Sequence, residues 1–322
     1  MTQPGRRATL RIATGLVLAA PGLARAQAWP ARPLRLIVPF PPGGSNDVLA
    51  RLLRPYLQQQ LGQPVQVENR AGRYGAAGAL ELMRAAPDGH TWLLSFDSEA
   101  TNQTLLADLP YKAMEDLWPA GRIATGALVV ASGSAQPYDD IAGMAEAARR
   151  GPLEFATAGT GGIPHIAMLA VAEALGIRLT QATYRGGVAA LGDVVAGFVP
   201  MIASNLPVLG PPIRAGTLKP LAVTTAARST RLPQVKTLAE QGVPGFEAGT
   251  WWMMMGRRSA PEAARDGMAR ALATVLADAE PRRLIEEHGV EVAPLEPPAA
   301  AAFLGEEIAR WGALVRRYGI TG

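Results

Sequence analysis

The groups in this chain best placed for chemistry are main-chain amides in glycine-rich turns. The first turn runs Pro39, Phe40, Pro41, Pro42, Gly43, Gly44, Ser45, Asn46, Asp47. Its prolines restrict φ and stiffen the turn, while its glycines let N–H groups approach a ligand with no Cβ in the way. The second runs Ala158, Gly159, Thr160, Gly161, Gly162, Ile163, Pro164, His165. Pro164 suits the first turn of a helix, which should leave the amides of 160 to 163 and the Thr160 hydroxyl pointing outward. A third glycine pair stands in Tyr184, Arg185, Gly186, Gly187. Helix starts of this kind carry unpaired N–H groups and the positive end of the helix dipole, so the chemistry they offer is anion binding. Ser45 or Asn46 is expected to cap the first helix.

Each turn needs a strand before it and a helix after it, and the hydrophobic pattern supplies both. LRLIVPF (34–40), a helix from about Asn46 to Leu61, PVQVEN (64–69), a helix over about 76–85 and TWLLSF (91–96) read as βαβαβ, hence a parallel sheet covered by helices. The pattern resumes with LEFATA (153–158), a helix over 164–175, LTQATY (179–184), a helix over about 189–196, PMIAS (200–204) and LKPLAVTT (218–225). Between the two units runs IATGALVVAS (123–132), and after the second come GTWWMMMG (249–256) and two long helices. The chain is therefore expected to cross from one lobe to the other near 126 and to return near 225. In the last helix Leu304, Ile308, Trp311 and Val315 fall on one apolar face, which should pack on lobe one.

Composition narrows the function. Arg6, Arg7, Arg11 and Arg25 fall within the first 26 residues, and the remainder carries 27 basic and 27 acidic residues. That neutral body removes the main support for nucleic-acid binding. Residues 1–26 follow the layout of a cleaved export signal: a basic stretch, an apolar stretch from Ile12 to Leu23, and Ala24, Arg25, Ala26. The Arg6, Arg7 pair resembles a twin-arginine signal, with Thr9 where a bulky apolar residue is usual; Sec export is the alternative, and the periplasm is the expected compartment. The chain has no cysteine, which excludes disulfides, thiolate metal sites and a lipid-modified cysteine anchor. His90, His165 and His288 are not spaced as a metal pair, so neither metal nor cofactor is expected. A Walker loop would need a lysine followed by serine or threonine, and a dinucleotide fold a third glycine with a later acid; neither stands here. An exported hydrolase using Ser45 or Thr160 is disfavoured, since no G-x-S-x-G elbow exists.

The segments PLRLIVPFPPGGSNDVLAR, LGQPVQVENRAG, PDGHTWLL, FATAGTGGIPHIA, YRGGVAAL, IRAGTLKPLAVTTAARS and LPQVKTLAEQGVPGFEAGTWW occur in that order. Together they resemble the Bug family, the extracytoplasmic substrate-binding proteins of tripartite tricarboxylate transporters, over essentially all of 29–320. The resemblance implies an α/β, two-lobed periplasmic binding protein of the type II, Venus-flytrap kind, each lobe a mainly parallel sheet flanked by helices. Lobe one would comprise 27–125 plus 226–322, and lobe two 126–225. It implies a monomer, not an enzyme, that captures a small carboxylate (a di- or tricarboxylate, an acidic amino acid or an aromatic acid) and delivers it to the permease subunits. Docking of the liganded form on a sensor kinase is the alternative. The implied ligand-binding residues are Phe40, Pro42, Gly43, Gly44, Ser45 and Asp47 from the first turn and Ala158, Gly159, Thr160, Gly161 and His165 from the second. Ser98, Tyr184, Gly186, Ser204 and Asn205 complete the set.

Several positions depart from the family pattern. Asp97 and Glu99 stand in the loop after the third strand, where small hydroxyl residues are common. Facing the cleft they would repel a dianion and favour a ligand with an amine, ring nitrogen or hydroxyl donors; facing solvent they would be ordinary loop carboxylates. Arg73 and Tyr74 interrupt a normally glycine-rich turn, Ser204 replaces a common acid, and Met253 a usual glycine. Arg73 could reach a distal carboxylate and Trp251 or Trp252 could stack on a ligand ring, the alternatives being solvent exposure and core packing.

Overall fold

The computed structural model describes residues 29–322. The leader expected over 1–26 lies outside the described residues. Strand β1 (Leu34–Val38) leads into helix α1 (Ser45–Leu61), then β2 (Val65–Asn69), α2 (Ala76–Arg84), β3 (Thr91–Phe96), α3 (Ser98–Leu105) and the short α4 (Ala113–Asp116). A 17-residue strand, β4 (Leu117–Gly133), follows. The second unit comprises α5 (Ile141–Arg150), β5 (Leu153–Thr157), α6 (Ile163–Leu175), β6 (Leu179–Thr183), α7 (Gly187–Val195), β7 (Met201–Asn205), α8 (Leu206–Arg214) and β8 (Leu218–Val223). The chain ends with β9 (Gly249–Arg257), α9 (Glu262–Ala277), α10 (Ala279–Glu287), β10 (Glu291–Leu295) and α11 (Pro297–Arg317).

The strand order is β2-β1-β3-β9-β4-β7-β5-β6, with β10 and β8 also paired to β4. Two parallel trios result, β2-β1-β3 and β6-β5-β7. Between them β9 and β4 run antiparallel to their neighbours, so the sheets are mixed rather than wholly parallel. Strand β4 belongs to both. Up to Ala127 it pairs with β9, and from Leu128 it pairs with β7. The change of partner falls between Ala127 and Leu128.

Because side chains alternate across a strand, the inner strands β1, β3 and β9 of the first sheet feed two cores. Leu34, Leu36 and Val38 pack under α1 and α9 with Trp252 and Met254, while Ile37 packs with Trp251, Met253 and Met255 on the face covered by α11. Both tryptophans are thus core residues, 1% and 0% exposed, and neither stacks on a ligand. Met253 is fully buried with them, where a glycine would leave a void. On α1 the residues Leu49, Ala50, Leu53 and Leu57 form the buried stripe. On α11 Leu304, Trp311 and Val315 are buried as expected, with Ile308 half-buried beside them. What the family pattern places as a loop after the third strand is in large part the helix α3, held between β3 and α11 by burial rather than by intrinsic propensity.

One buried carboxyl group helps lock α11 to β9. The Glu307 carboxylate accepts from Trp251 Nε1 at 2.9 Å and from Trp311 Nε1 at 2.8 Å, on opposite sides of the interface. Glu307→Leu leaves two buried indole N–H groups without acceptors and should cost about 2–4 kcal/mol in urea denaturation. Glu307→Gln keeps an acceptor oxygen and should stay within about 1 kcal/mol of the parent.

Candidate functional site

The parallel strands of both sheets point their carboxyl ends at one interlobe cleft, the usual place for a ligand in an open α/β sheet. A cavity of about 310 Å³ lies there. Its wall carries Phe40 and Pro41 after β1, Phe96 and Asp97 from the end of β3, and Ala158 after β5. Arg185 and Gly186 after β6, with Ser204 and Asn205 from the end of β7, also line it. Several helices therefore begin at this cavity.

Three of the surrounding starts have glycine N-caps: Gly44 for α1, Gly162 for α6 and Gly186 for α7, none with a side-chain cap hydrogen bond. Ser45 and Asn46 accordingly do not cap α1. The first intrahelical bonds are Val48 N–H to Gly44 at 3.0 Å and Ala190 N–H to Gly186 at 3.2 Å. The amides of 45–47 and 187–189 are therefore the donors a helix start leaves over. Asn205 differs: it caps α8 by accepting from Val208 N–H at 3.3 Å, and its Nδ2 donates to Ser45 Oγ at 3.2 Å across the lobes.

Several expected ligand residues hold the frame instead. Asp47 is buried under the first turn, where it accepts from Gly43 N–H at 2.9 Å, Arg51 Nε at 2.9 Å and Asn69 Nδ2 at 3.0 Å. Burial raises its pKa, but those donors prevail and hold it below the ordinary carboxylate range. The Gly43 amide is thus already used, and neither Gly43 nor Asp47 lies on the cavity wall. Asn46, expected from sequence only as a possible cap, donates to Leu94 O at 3.2 Å and accepts from Trp252 Nε1 at 3.1 Å, tying α1 to β3 and β9. His165 accepts from Gly161 N–H through Nδ1 at 3.0 Å, closing its own turn. A Cβ on Gly161 would meet Leu105 at 2.7 Å, so that glycine serves packing. Ser98 packs behind Gly75, where a Cβ would lie 2.9 Å from its Oγ.

Thr160, Gly159 and Tyr184 lie on a second, larger cavity of about 630 Å³, beside Arg73. There Thr160 Oγ1 lies 3.1 Å from Thr183 Oγ1, and the Tyr184 hydroxyl donates to Asp193 at 2.6 Å. Arg73 is exposed and paired with Asp108. Of the residues singled out from sequence, Phe40, Pro42, Gly44, Ser45, Ala158, Gly186, Ser204 and Asn205 stand together on the first cavity. Pattern reading passed over Leu128, Val188 and Val208 on the same wall, since isolated aliphatics carry no local signal.

The two unusual acids are buried, 0% and 3% exposed, and neither is a solvated loop carboxylate. Glu99 faces inward, accepting from Gln103 Nε2 at 2.9 Å and the Tyr111 hydroxyl at 3.0 Å, away from the cleft. Burial pushes its carboxyl up to about 7. Asp97 adjoins the cavity, but its oxygens are covered and have no hydrogen-bond partner. The Thr250 hydroxyl and the Ser98 amide lie near it, outside hydrogen-bond geometry, and burial raises it to about 8. A carboxyl that keeps its proton at neutral pH does not repel an anion beside it. Among the described residues no cluster of three His, Asp or Glu is arranged to hold a metal, and no helix is long and apolar enough to cross a membrane.

A family model described as the tripartite tricarboxylate transporter family receptor matches residues 49–320. Protein BugT of Bordetella pertussis is 34% identical over 312 residues, 95% of this chain and 96% of its own length. Among solved structures, R. palustris Rpa4515 with adipate is similar with a TM-score of 0.87 at 29% identity, covering 91% of this chain and 99% of that one. MatC from Rhodopseudomonas palustris with bound malate has a TM-score of 0.82 at 27% identity, covering 89% and 100%.

The geometry of His165 sets a pH dependence. Burial lowers its pKa from the ordinary 6.5 to about 4, so folding favours the neutral ring, with the proton on Nε2. Its contribution to stability is whole above about pH 6.5 and is lost as pH falls toward 4. Nitrogen-detected NMR should find the ring neutral at pH 5, and His165→Ala should flatten the stability profile between pH 6.5 and 4 relative to the parent.

Proposed function

Since the chain belongs to the tripartite tricarboxylate transporter receptor family, a family of binding proteins and not of enzymes, we propose that it closes on a small carboxylate outside the cytoplasm and hands it to the permease of such a transporter. The observation that carries this reading is the meeting of uncapped helix starts from both lobes at one cavity. Adipate and malate in the two similar structures support a carboxylate as the ligand class. The arginine-rich leader supports the periplasm as the compartment. For the lobes themselves we propose 27–125 with 226–322, and 126–225.

Magnitudes decide how such a site works. One helix start contributes at most about 2 kcal/mol to a nearby anion, whereas micromolar affinity needs about 8 kcal/mol. The dipole alone is too weak, and direct hydrogen bonds to the charged ligand, about 1.5–3 kcal/mol each, must supply the larger share. Amides 45–47 belong to one lobe and 187–189 to the other, so a carboxylate reaching both sets is held fully only when the lobes are shut. That difference in affinity between open and closed forms is what drives closure. The Asn205–Ser45 hydrogen bond joins the lobes at the same place.

Gly186 gives a direct test. A Cβ there would lie 3.5 Å from the Pro41 ring on the opposite lobe, with no backbone clash. Gly186→Leu should fold with an unchanged melting temperature, yet wedge the cleft and weaken carboxylate binding by at least about tenfold in calorimetry. Full affinity in that variant would remove closure on the cavity as the binding step.

A further inference from the structure

Tyr74 occupies a position that local backbone preference argues against. It and Arg73 have φ of +48°, a left-handed conformation in which a bulky residue is uncommon and strained. The surroundings hold it there. Asn102 Nδ2 donates to the Tyr74 carbonyl at 3.0 Å, and the ring meets Phe40 edge-on with centroids 5.9 Å apart. From this anchor in the first lobe the side chain reaches across to the second glycine-rich turn. A Cβ on Gly159 would overlap the Tyr74 ring, and one on Gly162 its hydroxyl. The second turn is therefore glycine-rich, at least at these two positions, to receive a tyrosine.

Phe40, Pro41, Tyr74, Ala158 and Arg185 line both the 310 Å³ and the 630 Å³ cavities, so this ring stands in the wall between them. Two consequences follow. The hydroxyl rests against Gly162, the N-cap of α6, which is where an anion on that helix start would sit. Burial keeps the phenol well above its ordinary pKa, so the group there is neutral. The smaller cavity then offers the α1 and α7 amides, the polar residues Asn46, Ser204 and Asn205, and apolar surface from Phe40, Phe96, Leu128 and Val208. Its cation, Arg185, is an exposed residue.

We infer that Tyr74 is a specificity-determining residue, closing off the second glycine-rich turn so that the cleft takes an acid with one carboxylate on a compact apolar body, and excludes acids charged at both ends. This rests on the carboxylate-binding reading given above. A second carboxylate extending from the first would meet an aromatic ring and a neutral hydroxyl, losing its hydration without gaining a charged or amide partner.

The test compares wild type, Tyr74→Gly and Tyr74→Phe in calorimetry and thermal shift, with benzoate and isovalerate as monocarboxylate probes and malate and adipate as dicarboxylates. Glycine tolerates the positive φ, so Tyr74→Gly should fold, as its melting curve will report. Wild type should bind at least one monocarboxylate about tenfold or more tighter than either dicarboxylate. Tyr74→Gly should gain about tenfold or more for adipate, while Tyr74→Phe, which keeps the wall, should retain the parental preference. Tight adipate or malate binding by wild type, or a folded Tyr74→Gly with no gain for adipate, would overturn this inference and leave the carboxylate reading standing. Absence of binding for all four acids to all three proteins would overturn both.

Discussion

A helix cannot satisfy its own first amides, and this protein arranges that deficit around a cavity. Strand, turn and helix follow one another in both lobes, so every parallel strand delivers a helix start to the same edge of its sheet. At α1 and α7 the N-cap is glycine, and no side chain quiets the exposed donors. An anion can then be held with little cationic side-chain help. The body of the protein, balanced at 27 basic and 27 acidic residues, needs no field of positive charge to find its ligand.

The scaffolding around those amides is more elaborate than the amides themselves. Asp47 spends its carboxylate on Gly43, Arg51 and Asn69, and Asn46 bridges α1 to β3 and Trp252. His165 does the same for the second turn through Gly161. These polar side chains sit within a few residues of the donors they organise, which is why Asp47 and His165 fall among the residues expected to touch a ligand. Their bonds are to the protein, and their effect on a ligand passes through the shape of the turn. Rigid turns matter because an amide misplaced by an ångström loses most of its hydrogen-bond energy.

The shared strand β4 connects this chemistry to motion. Its first part is paired within one sheet and its second within the other, with the change between Ala127 and Leu128. Relative movement of the lobes must therefore bend or twist a continuous strand rather than separate two loosely tethered domains, and Leu128 itself lies on the cavity wall. The site and the joint are neighbours, as the proposed closure on a small ligand requires.

Much of this was readable from one dimension. The hydrophobic pattern announced the strands, glycine and proline marked the turns after them, and the order of the elements implied two α/β units. These are properties of hydrogen bonding and periodicity within a few residues, and a linear pattern contains them. Burial of Asp97 and Glu99, the helix over 98–105, the core placement of Trp251 and Trp252, and above all the reach of Tyr74 to Gly159 and Gly162 were decided by packing. Tyr74 and its receiving glycines are more than 80 residues apart along the chain. Nothing local determines that distance in space; it is set when two sheets close on one another, and with it whether an open amide turn stays open.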